Sequence, residues 1–223
     1  METAIRLENV SKAFGDKTIY KDVSLEIGKG MTVGFVGENG SGKSVLFQLL
    51  TGLLPCDSGK VTVNGDTLGD QVDFPADVGI LINEPGYIEY ISGFRNLKLL
   101  AEINNRIGGK EIKESMKMVG LDPGDRTPVK KYSMGMKQKL GIAQAMMENQ
   151  TVIILDEPYN ALDYKTNREI TEILERLKQE GKTILLTSHQ HEYLEKLCDV
   201  IYCIHDNKIV PFTDEFKERY FGL

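Results

Sequence analysis

A glycine-rich segment is the first place in the sequence where chemistry is expected. It runs Gly37-Glu38-Asn39-Gly40-Ser41-Gly42-Lys43-Ser44, after an apolar run and before a helical pattern, and it fits the pattern of a phosphate-binding loop. Glycines let consecutive backbone N–H groups point at phosphate oxygens, and the helix start adds partial positive charge. We predict nucleotide contacts from the following residues: Gly37, Asn39, Gly40, Ser41, Gly42, Lys43, Ser44 and Val45.

The charge of this loop must come largely from its lysine. A helix dipole contributes only about 0.3–1 kcal/mol, so the Lys43 ammonium has to supply much of the attraction to the β- and γ-phosphates. The alternative interpretation is a glycine-rich turn that matches by chance, which is expected in on the order of 1% of chains of this length.

Two carboxylates end a second apolar run. Val152–Leu155 is continuously apolar, and Asp156 and Glu157 follow it directly. Buried carboxylates are costly unless they are paired or bind a metal, whereas at the carboxyl end of a strand they face a ligand crevice. We predict that Asp156 and the Ser44 hydroxyl hold Mg²⁺ and that Glu157 is the general base that polarises an attacking water. The alternative is a strand that merely ends in polar residues at the surface.

The elements that would position these residues alternate between strand and helix. Continuously apolar runs favour parallel strands covered on both faces; they are Met31–Val36, Thr151–Leu155 and Thr183–Thr187. Helical patterns lie at Ser44–Thr51, Lys165–Glu180 and Glu192–Leu197. Alternating polarity, which indicates antiparallel strands, lies at Ala4–Val10, Val23–Ile27 and Lys60–Val63. The fold class predicted is α/β, with a parallel sheet and an N-terminal antiparallel β subdomain.

The middle of the chain has a different pattern. From about residue 85 to 149 no convincing strand is visible, and Asn96–Ala101 and Ile112–Val119 have helical spacing. We therefore expect an inserted α-helical subdomain over 85–149. Residues 1–84 and 150–223 would form the core and the antiparallel subdomain of a single domain that spans 1–223.

Composition limits the classes of function. With 223 residues, 41% of them hydrophobic, and a net charge of −6, the chain can bury a sizeable core and shows no broad basic surface for nucleic acid. No apolar run approaches the roughly 20 residues of a membrane-spanning helix. The start lacks a secretory pattern, and three cysteines without metal-like spacing fit a reducing compartment. The small basic cluster of Lys130, Lys131, Lys137 and Lys139 is expected to be a solvated helix face.

Three further segments narrow the class of nucleotide-binding protein. Tyr132-Ser133-Met134-Gly135-Met136-Lys137-Gln138 resembles the signature motif of the ABC family, Asn160-Ala161-Leu162-Asp163 resembles its D-loop, and Leu186-Thr187-Ser188-His189 is similar to its switch-histidine segment. They occur in the family's order, and the resemblance covers essentially the whole chain. It implies a P-loop NTPase (RecA-like) core and an ATPase that uses ATP and Mg²⁺.

The resemblance also assigns roles to residues outside the loop. It implies that Ser133, Gly135 and Asp163 contact a nucleotide bound to a second subunit, that His189 contacts the γ-phosphate and the attacking water, and that Phe14 stacks on adenine. From the residues alone, Ser133 is a plausible N-cap of a helix from Gly135 to about Met147. Core packing is the alternative for Phe14, and a structural hydrogen bond is the alternative for His189.

The sequence departs from the family pattern at three positions. Asn83 stands where the Q-loop glutamine is expected and is one methylene shorter. Either Glu84 or a water substitutes for its direct contact with Mg²⁺, or the metal shell depends more on Ser44 and Asp156. Met134 and Met136 replace a glycine and a glutamine of the signature. With Pro85-Gly86-Tyr87, these departures resemble the bacterial branch that serves exporters of peptide antibiotics and other drugs.

Partners follow from the resemblance. It implies a second ATP-binding subunit, identical or similar, and a separate integral membrane permease that docks near Asn83–Tyr90, with Tyr87 and Tyr90 as contacts or, alternatively, as packing residues. The chain would be cytoplasmic and peripheral on the inner face of the membrane, and it would bind no nucleic acid. The alternative function is a non-transport ABC ATPase that acts as a nucleotide-gated scaffold.

Overall fold

The computed structural model describes residues 2–82 and 86–221. In this part of the chain the strands are β1 (Thr3–Phe14), β2 (Lys17–Gly28), β3 (Thr32–Val36), β4 (Ser58–Val63), β5 (Asp66–Thr67), β6 (Val78–Leu81), β7 (Val152–Leu155), β8 (Thr183–Thr187), β9 (Val200–His205) and β10 (Lys208–Pro211). The helices are α1 (Lys43–Leu50), α2 (Gly93–Asn104), α3 (Gly109–Met118), α4 (Met134–Met146), α5 (Tyr164–Gln179), α6 (His191–Leu197) and α7 (Asp214–Phe221).

The N-terminal strands form an antiparallel sheet of four strands in the order β2-β1-β4-β5. Asn64 and Gly65 join β4 to β5 with φ values of 51° and 92°. Both residues are left-handed, as a type I′ hairpin turn requires, so Asn64 and Gly65 close the β4–β5 hairpin.

The second sheet contains six strands in the order β10-β9-β3-β8-β7-β6. Five of them are parallel and β10 is antiparallel to β9. The predicted parallel core is therefore confirmed, but the sequence prediction included only β3, β7 and β8. It missed β6 because Gly79 interrupts the β-rich pattern. A Cβ at Gly79 would lie 1.6 Å from the Ala145 carbonyl oxygen of α4, so close packing of this helix requires the glycine.

Alternate residues of the central strands enter two different cores. Val152 and Ile154 of β7 face a cluster between the two sheets that contains Phe47 of α1. Ile153 and Leu155 face a cluster with the helices of the other side, including Leu140 of α4. Because both faces of β7 are covered, all four of its residues are buried, which explains the continuous apolar run.

The described residues from 86 to 149 contain helices and no named strand. They comprise α2, α3, a 3-10 turn at Val129–Lys131, and α4. The predicted inserted helices are thus present, while the boundaries 85 and 149 stay predictions. No helix in the described ranges is long and apolar enough to cross a membrane.

The basic cluster differs in part from its prediction. Lys130 and Lys131 are exposed, but they belong to the 3-10 turn. Lys139 is not on a solvated face: its side chain is 14% exposed and forms an ion pair with Glu169 on α5. The reason is that α4 lies beside α5, so this lysine faces a neighbouring helix rather than water.

Candidate functional site

The glycine-rich loop joins β3 to the start of α1. Gly42 is the N-cap of α1 with a left-handed φ of 116°, and a Cβ there would lie 2.7 Å from Ile19 Cγ2. Its carbonyl oxygen accepts a hydrogen bond of 2.8 Å from the hydroxyl of Tyr20, which is buried. The loop is therefore fixed against β2, and glycine is required at this position for both conformation and space.

Gly37 must be glycine because of its close neighbours, although it does not line the cleft. A Cβ there would lie 2.7 Å from Ser41 Oγ and 2.8 Å from the Ile204 carbonyl oxygen. Gly37 and Ser41, both predicted nucleotide contacts, do not line the cleft. The loop turns back on itself here, since the Ser41 N–H donates to the Glu38 carbonyl oxygen at 3.1 Å.

The Lys43 ammonium lies inside the loop. Its Nζ donates to the carbonyl oxygens of Gly37 at 2.8 Å and Glu38 at 3.2 Å. Burial lowers the pKa of Lys43, and the nearby carboxylates of Glu157 and Asp156 oppose that shift. A single cation is thus held between the loop and the acidic pair, where a phosphate can exchange for the carbonyl contacts.

Asp156 is held by a hydroxyl on each oxygen. Ser44 Oγ donates to Oδ2 at 2.6 Å, and Thr187 Oγ1 donates to Oδ1 at 2.7 Å. The geometry brings together the two predicted Mg²⁺ ligands, Ser44 and Asp156. Within the described residues no group of three or more His, Cys, Asp or Glu could hold a metal. Such a sparse donor set fits Mg²⁺, which binds through one or two protein oxygens together with phosphates and waters.

Glu157 follows with a strained backbone. Its φ is 49°, a left-handed conformation that costs on the order of 1–3 kcal/mol for such a residue and is typical of functional sites. Its N–H donates to Thr187 Oγ1 at 2.8 Å, which stabilises this turn. The turn directs the Glu157 carboxylate into the cleft, beside Lys43.

The Glu157 carboxylate has the properties of a base. Oε2 accepts the backbone N–H of His189 at 3.2 Å. Oε1 is buried and accepts no hydrogen bond from the described residues, although His189 Nε2 lies 3.4 Å away. Burial raises the pKa of Glu157, and His189 and Lys43 oppose this. A carboxylate with one oxygen that accepts no hydrogen bond and with a raised pKa is suited to accept a proton from water.

A cleft of about 650 Å³ contains these groups and an exposed aromatic ring. Its lining includes Phe14, Lys17, Ile19, Asn39, Gly40, Gly42, Lys43, Ser44, Val45, Met134, Gln138, Asp156, Glu157, Asn160, Ala161 and His189. Phe14 is 49% exposed, so the alternative of core packing is wrong. Its open face fits a stacking role.

The signature and D-loop residues occupy helix starts beside the cleft. Ser133 is the N-cap of α4, since its Oγ accepts the Met136 N–H at 3.2 Å, and this prediction is confirmed. Asp163 is the N-cap of α5. Ser133, Gly135 and Asp163 do not line the cleft of their own protomer. Asn83 lies outside the described residues, so its role as a metal ligand stays a prediction from sequence.

The sequence analysis also missed residues that support or line the site. Thr187 anchors both Asp156 and Glu157, Tyr20 supports the loop, and Gln138 lines the cleft. Thr187 had a signal, because it ends a predicted parallel strand, and such ends meet at one edge of the sheet. Tyr20 and Gln138 had none, since the alternation of β2 and the turn of α4 do not show what they face.

Comparisons with known proteins agree with this geometry. The family model described as ABC transporter matches residues 20–160. The uncharacterised ABC transporter ATP-binding protein YybJ of Bacillus subtilis is 37% identical over 88% of this chain and 90% of its own length. The lantibiotic transport ATP-binding protein SrtF of Streptococcus pyogenes is 35% identical over 92% and 89%, and the bacitracin transport ATP-binding protein BcrA of Enterococcus faecalis is 34% identical over 94% and 69%.

Solved structures give the same result. The dimeric bacterial ABC transporter cassette MJ0796 is 26% identical, with a TM-score of 0.81 over 92% of this chain and 96% of that chain. The same cassette in a post-hydrolysis state bound to ADP and Pi gives a TM-score of 0.80 at 25% identity. The chain belongs to the ABC transporter family, as an ATP-binding and ATP-hydrolysing subunit.

Proposed function

We propose that two copies of this chain, or one copy with a similar partner, close head to tail on two Mg²⁺-ATP molecules and that this closure drives export through a membrane permease. The observation that carries the proposal is the division of the site. The phosphate loop, Asp156 and Glu157 converge on one cleft. Ser133, Gly135 and Asp163 lie at the starts of α4 and α5 and do not line it, whereas their neighbours Met134, Gln138, Asn160 and Ala161 reach its edge. The N–H groups of Met134 and Gly135 begin α4, so no helical carbonyl precedes them, and they are available to an anion on another subunit.

Each residue in the cleft of one protomer has a defined task. Lys43 binds the β- and γ-phosphates, and the oxygens of Ser44 and Asp156 hold Mg²⁺, which when bound neutralises phosphate charge. Glu157 takes a proton from the attacking water at Oε1, the oxygen that accepts no hydrogen bond from the described residues. The His189 backbone N–H fixes the Glu157 carboxylate at 3.2 Å, and its ring, 54% exposed, is free to turn toward the γ-phosphate.

The transported substrate class rests on the relatives. Transport of a lantibiotic and of bacitracin is stated for SrtF and BcrA, and we extend export of peptide antibiotics to this chain. The chain would then act at the inner face of the membrane, bound to its permease.

The surface next to residue 85 suits such docking. Tyr90 is 74% exposed, with the Lys130 ammonium 4.4 Å from its ring centroid. Tyr87 instead packs inward and donates to the Lys137 carbonyl oxygen at 3.1 Å, so we assign the permease contact to Tyr90.

A mixing experiment tests whether each nucleotide site is composite, formed by the phosphate loop of one subunit and the signature segment of the other. Lys43→Ala removes the phosphate-binding cation, and Ser133→Arg places a bulky side chain at the start of α4. In a head-to-tail dimer of one variant with the other, one of the two sites keeps an intact loop and an intact signature. We expect each variant alone to be inactive and the mixture to recover ATP hydrolysis. No recovery, with both variants folded, contradicts the head-to-tail arrangement.

Crosslinking tests the permease. A photoreactive label on Tyr90→Cys is expected to attach to a membrane protein with several spans in membranes of the source cell. Phe74→Cys, at a position 63% exposed in the loop after β5, serves as the control. If position 90 labels no more multi-spanning protein than position 74, the assigned docking surface is wrong.

A further inference from the structure

The first turn of α4 approaches the first turn of α5 closely at one point, between Gly135 and Thr166. A Cβ at Gly135 would lie 2.8 Å from Thr166 Cγ2 and 3.2 Å from Thr166 Oγ1, so only glycine allows this approach without a shift. Thr166 is itself fixed, because its N–H and its hydroxyl donate to the two oxygens of Asp163 at 3.0 and 2.9 Å. Gly135 and Asp163 therefore touch the same threonine side chain from different directions.

One turn further along, an ion pair joins the same two helices. Lys139 lies four residues after Gly135, Glu169 lies three after Thr166, and Lys139 Nζ donates to Glu169 Oε2. Their side chains are 14% and 37% exposed. Lys165, 86% exposed on α5, lies 4.0 Å from the other Glu169 oxygen. The Lys139–Glu169 pair is thus shielded on one side and open on the other.

This ion pair differs from the others of the helical region. Lys98–Glu102 and Lys110–Glu114 each join residues of one helix, and all four side chains are at least 57% exposed. Among the ion pairs of the described residues, Lys139–Glu169 is the one that connects the segment 86–149 to the rest of the chain. Exposed pairs within one helix contribute little, whereas this one links two parts of the fold.

We propose that Lys139 and Glu169 are positioning residues for ATP-dependent assembly, which with Thr166 hold the start of α4 and the Asp163 turn in one arrangement. This inference rests on the proposed composite site, in which Ser133, Gly135 and Asp163 meet the nucleotide of the other subunit. Neither Lys139 nor Glu169 lines the protomer's own cleft, so they act on the site through the helices that they join.

Assembly should depend on this arrangement because the hydrogen bonds from the start of α4 to a phosphate tolerate only a narrow range of distances. Backbone N–H groups bond to phosphate oxygens between about 2.7 and 3.2 Å, so both helix starts must be correctly placed together. A protomer that adopts this arrangement for a smaller fraction of the time binds its partner more weakly in proportion to that fraction. In a dimer of two identical copies the fraction enters twice, so a threefold loss gives about a ninefold weaker dimer.

Lys139→Gln removes the ion pair and keeps a long polar side chain. We propose to measure it in a Glu157→Gln background, where hydrolysis does not consume the ATP, with sedimentation analysis of the ATP-bound dimer. The expected result is a dimer dissociation constant raised about tenfold. Binding of ADP to the monomer is expected to stay within about twofold, because the phosphate loop is complete within one protomer.

Two further variants separate positioning from general stability. Lys110→Gln removes the Lys110–Glu114 ion pair, which lies within one helix of the same region. It is expected to leave the dimer dissociation constant and the ADP dissociation constant unchanged. The exchange Lys139→Glu with Glu169→Lys restores the pair with opposite polarity and is expected to recover the dimer to within about threefold. Recovery is incomplete because Lys165 would repel the new lysine at position 169.

The outcomes decide between the inference and its premise. If Lys139→Gln leaves the dimer dissociation constant unchanged, or if the exchanged pair fails to recover it, the positioning role is wrong although the composite site stands. If Lys139→Gln does not fold, Glu169→Gln removes the same pair from its more exposed side and replaces it in each measurement. If the background protein does not dimerise with ATP at all, the composite site is wrong and the inference falls with it.

Discussion

The two halves of the nucleotide site are built in different ways. In the phosphate-loop half, Lys43 and Asp156 are each 8% exposed; Lys43 donates to the loop carbonyl of Gly37, and Asp156 accepts from Thr187 at the end of β8. In the signature half, Ser133 and Asp163 are exposed and use their side chains to cap helices. The residues of the first half meet in one cleft of a protomer, whereas Ser133 and Asp163 lie at helix starts outside that cleft.

The difference indicates which property each half controls. In the proposed site, the half held in the core would bind nucleotide in the monomer and contain the base, so changes there should affect affinity and chemistry. A half that meets a second subunit should affect assembly. Variants of the two halves are therefore expected to separate nucleotide binding from dimer formation.

The largest effect is expected from Glu157→Gln. The amide cannot accept the proton of the attacking water, so turnover should fall roughly 10²–10⁴-fold, while ATP still binds and the ATP-bound dimer accumulates. Steady-state hydrolysis and size-exclusion chromatography measure the two effects. Glu172→Gln, on the exposed face of α5 and paired with Arg168, is the control. Hydrolysis at the unsubstituted rate would exclude Glu157 as the base.

The location of Glu157 was predictable from sequence, but its geometry was not. An apolar strand followed by two acids places Asp156 and Glu157 at the carboxyl edge of the sheet, because parallel strands end together there. The left-handed backbone of Glu157 and its bond to Thr187 depend on the neighbouring strand β8. Local sequence has no information about that register.

The two missed parallel strands differ in how visible they were in the sequence. In β9, Val200 to Ile204 is a continuous apolar run, so a signal for this strand was present. In β6, Gly79 weakens the strand pattern, yet the backbone of α4 at Ala145 needs the space. That requirement comes from packing between distant segments, which the periodicity of one segment does not reveal.

The next largest effect is expected from the exposed ring of Phe14 in the phosphate-loop half. Phe14→Ala removes an exposed ring that can stack on adenine, an interaction of about 1–3 kcal/mol, so ATP affinity of the monomer should fall about 5- to 150-fold. Phe14→Tyr keeps the ring and should stay near the original affinity. Isothermal titration measures both. Phe74→Ala, an exposed ring outside this cleft, should change nothing, and an equal loss there would argue against stacking.

A matched pair of caps tests the signature half. Ser133→Ala and Ser92→Ala each remove an N-cap hydroxyl, from α4 and α2 respectively, and each should cost about 1 kcal/mol of folding stability. Only Ser133→Ala should weaken the ATP-dependent dimer, by about 5- to 30-fold, because the start of α4 occurs twice in the assembly. Sedimentation with ATP and thermal unfolding without it separate the two effects. Equal dimer affinities would show that α4 does not meet the nucleotide.

The smallest effect expected is on folding stability, which the buried carboxylate of Glu157 should lower. Burial raises the pKa of Glu157 above its ordinary value, so the folded protein holds this proton to a higher pH than the unfolded chain does. The stabilising contribution is therefore complete below the unfolded pKa and is lost as pH rises through the folded pKa. At neutral pH the ionised carboxylate destabilises the fold, and Glu157→Gln should have a higher Tm than the unsubstituted protein.

That difference in Tm should shrink as the pH falls toward the ordinary carboxyl pKa of about 4.3, where both side chains are neutral. Glu172→Gln, whose carboxylate is 48% exposed, should show no such gain at neutral pH. Thermal unfolding of the nucleotide-free protein across this pH range measures the effect. If Glu157→Gln is instead less stable at neutral pH, the ionised Glu157 carboxylate stabilises the fold. Burial of this carboxylate would then not destabilise the phosphate-loop half.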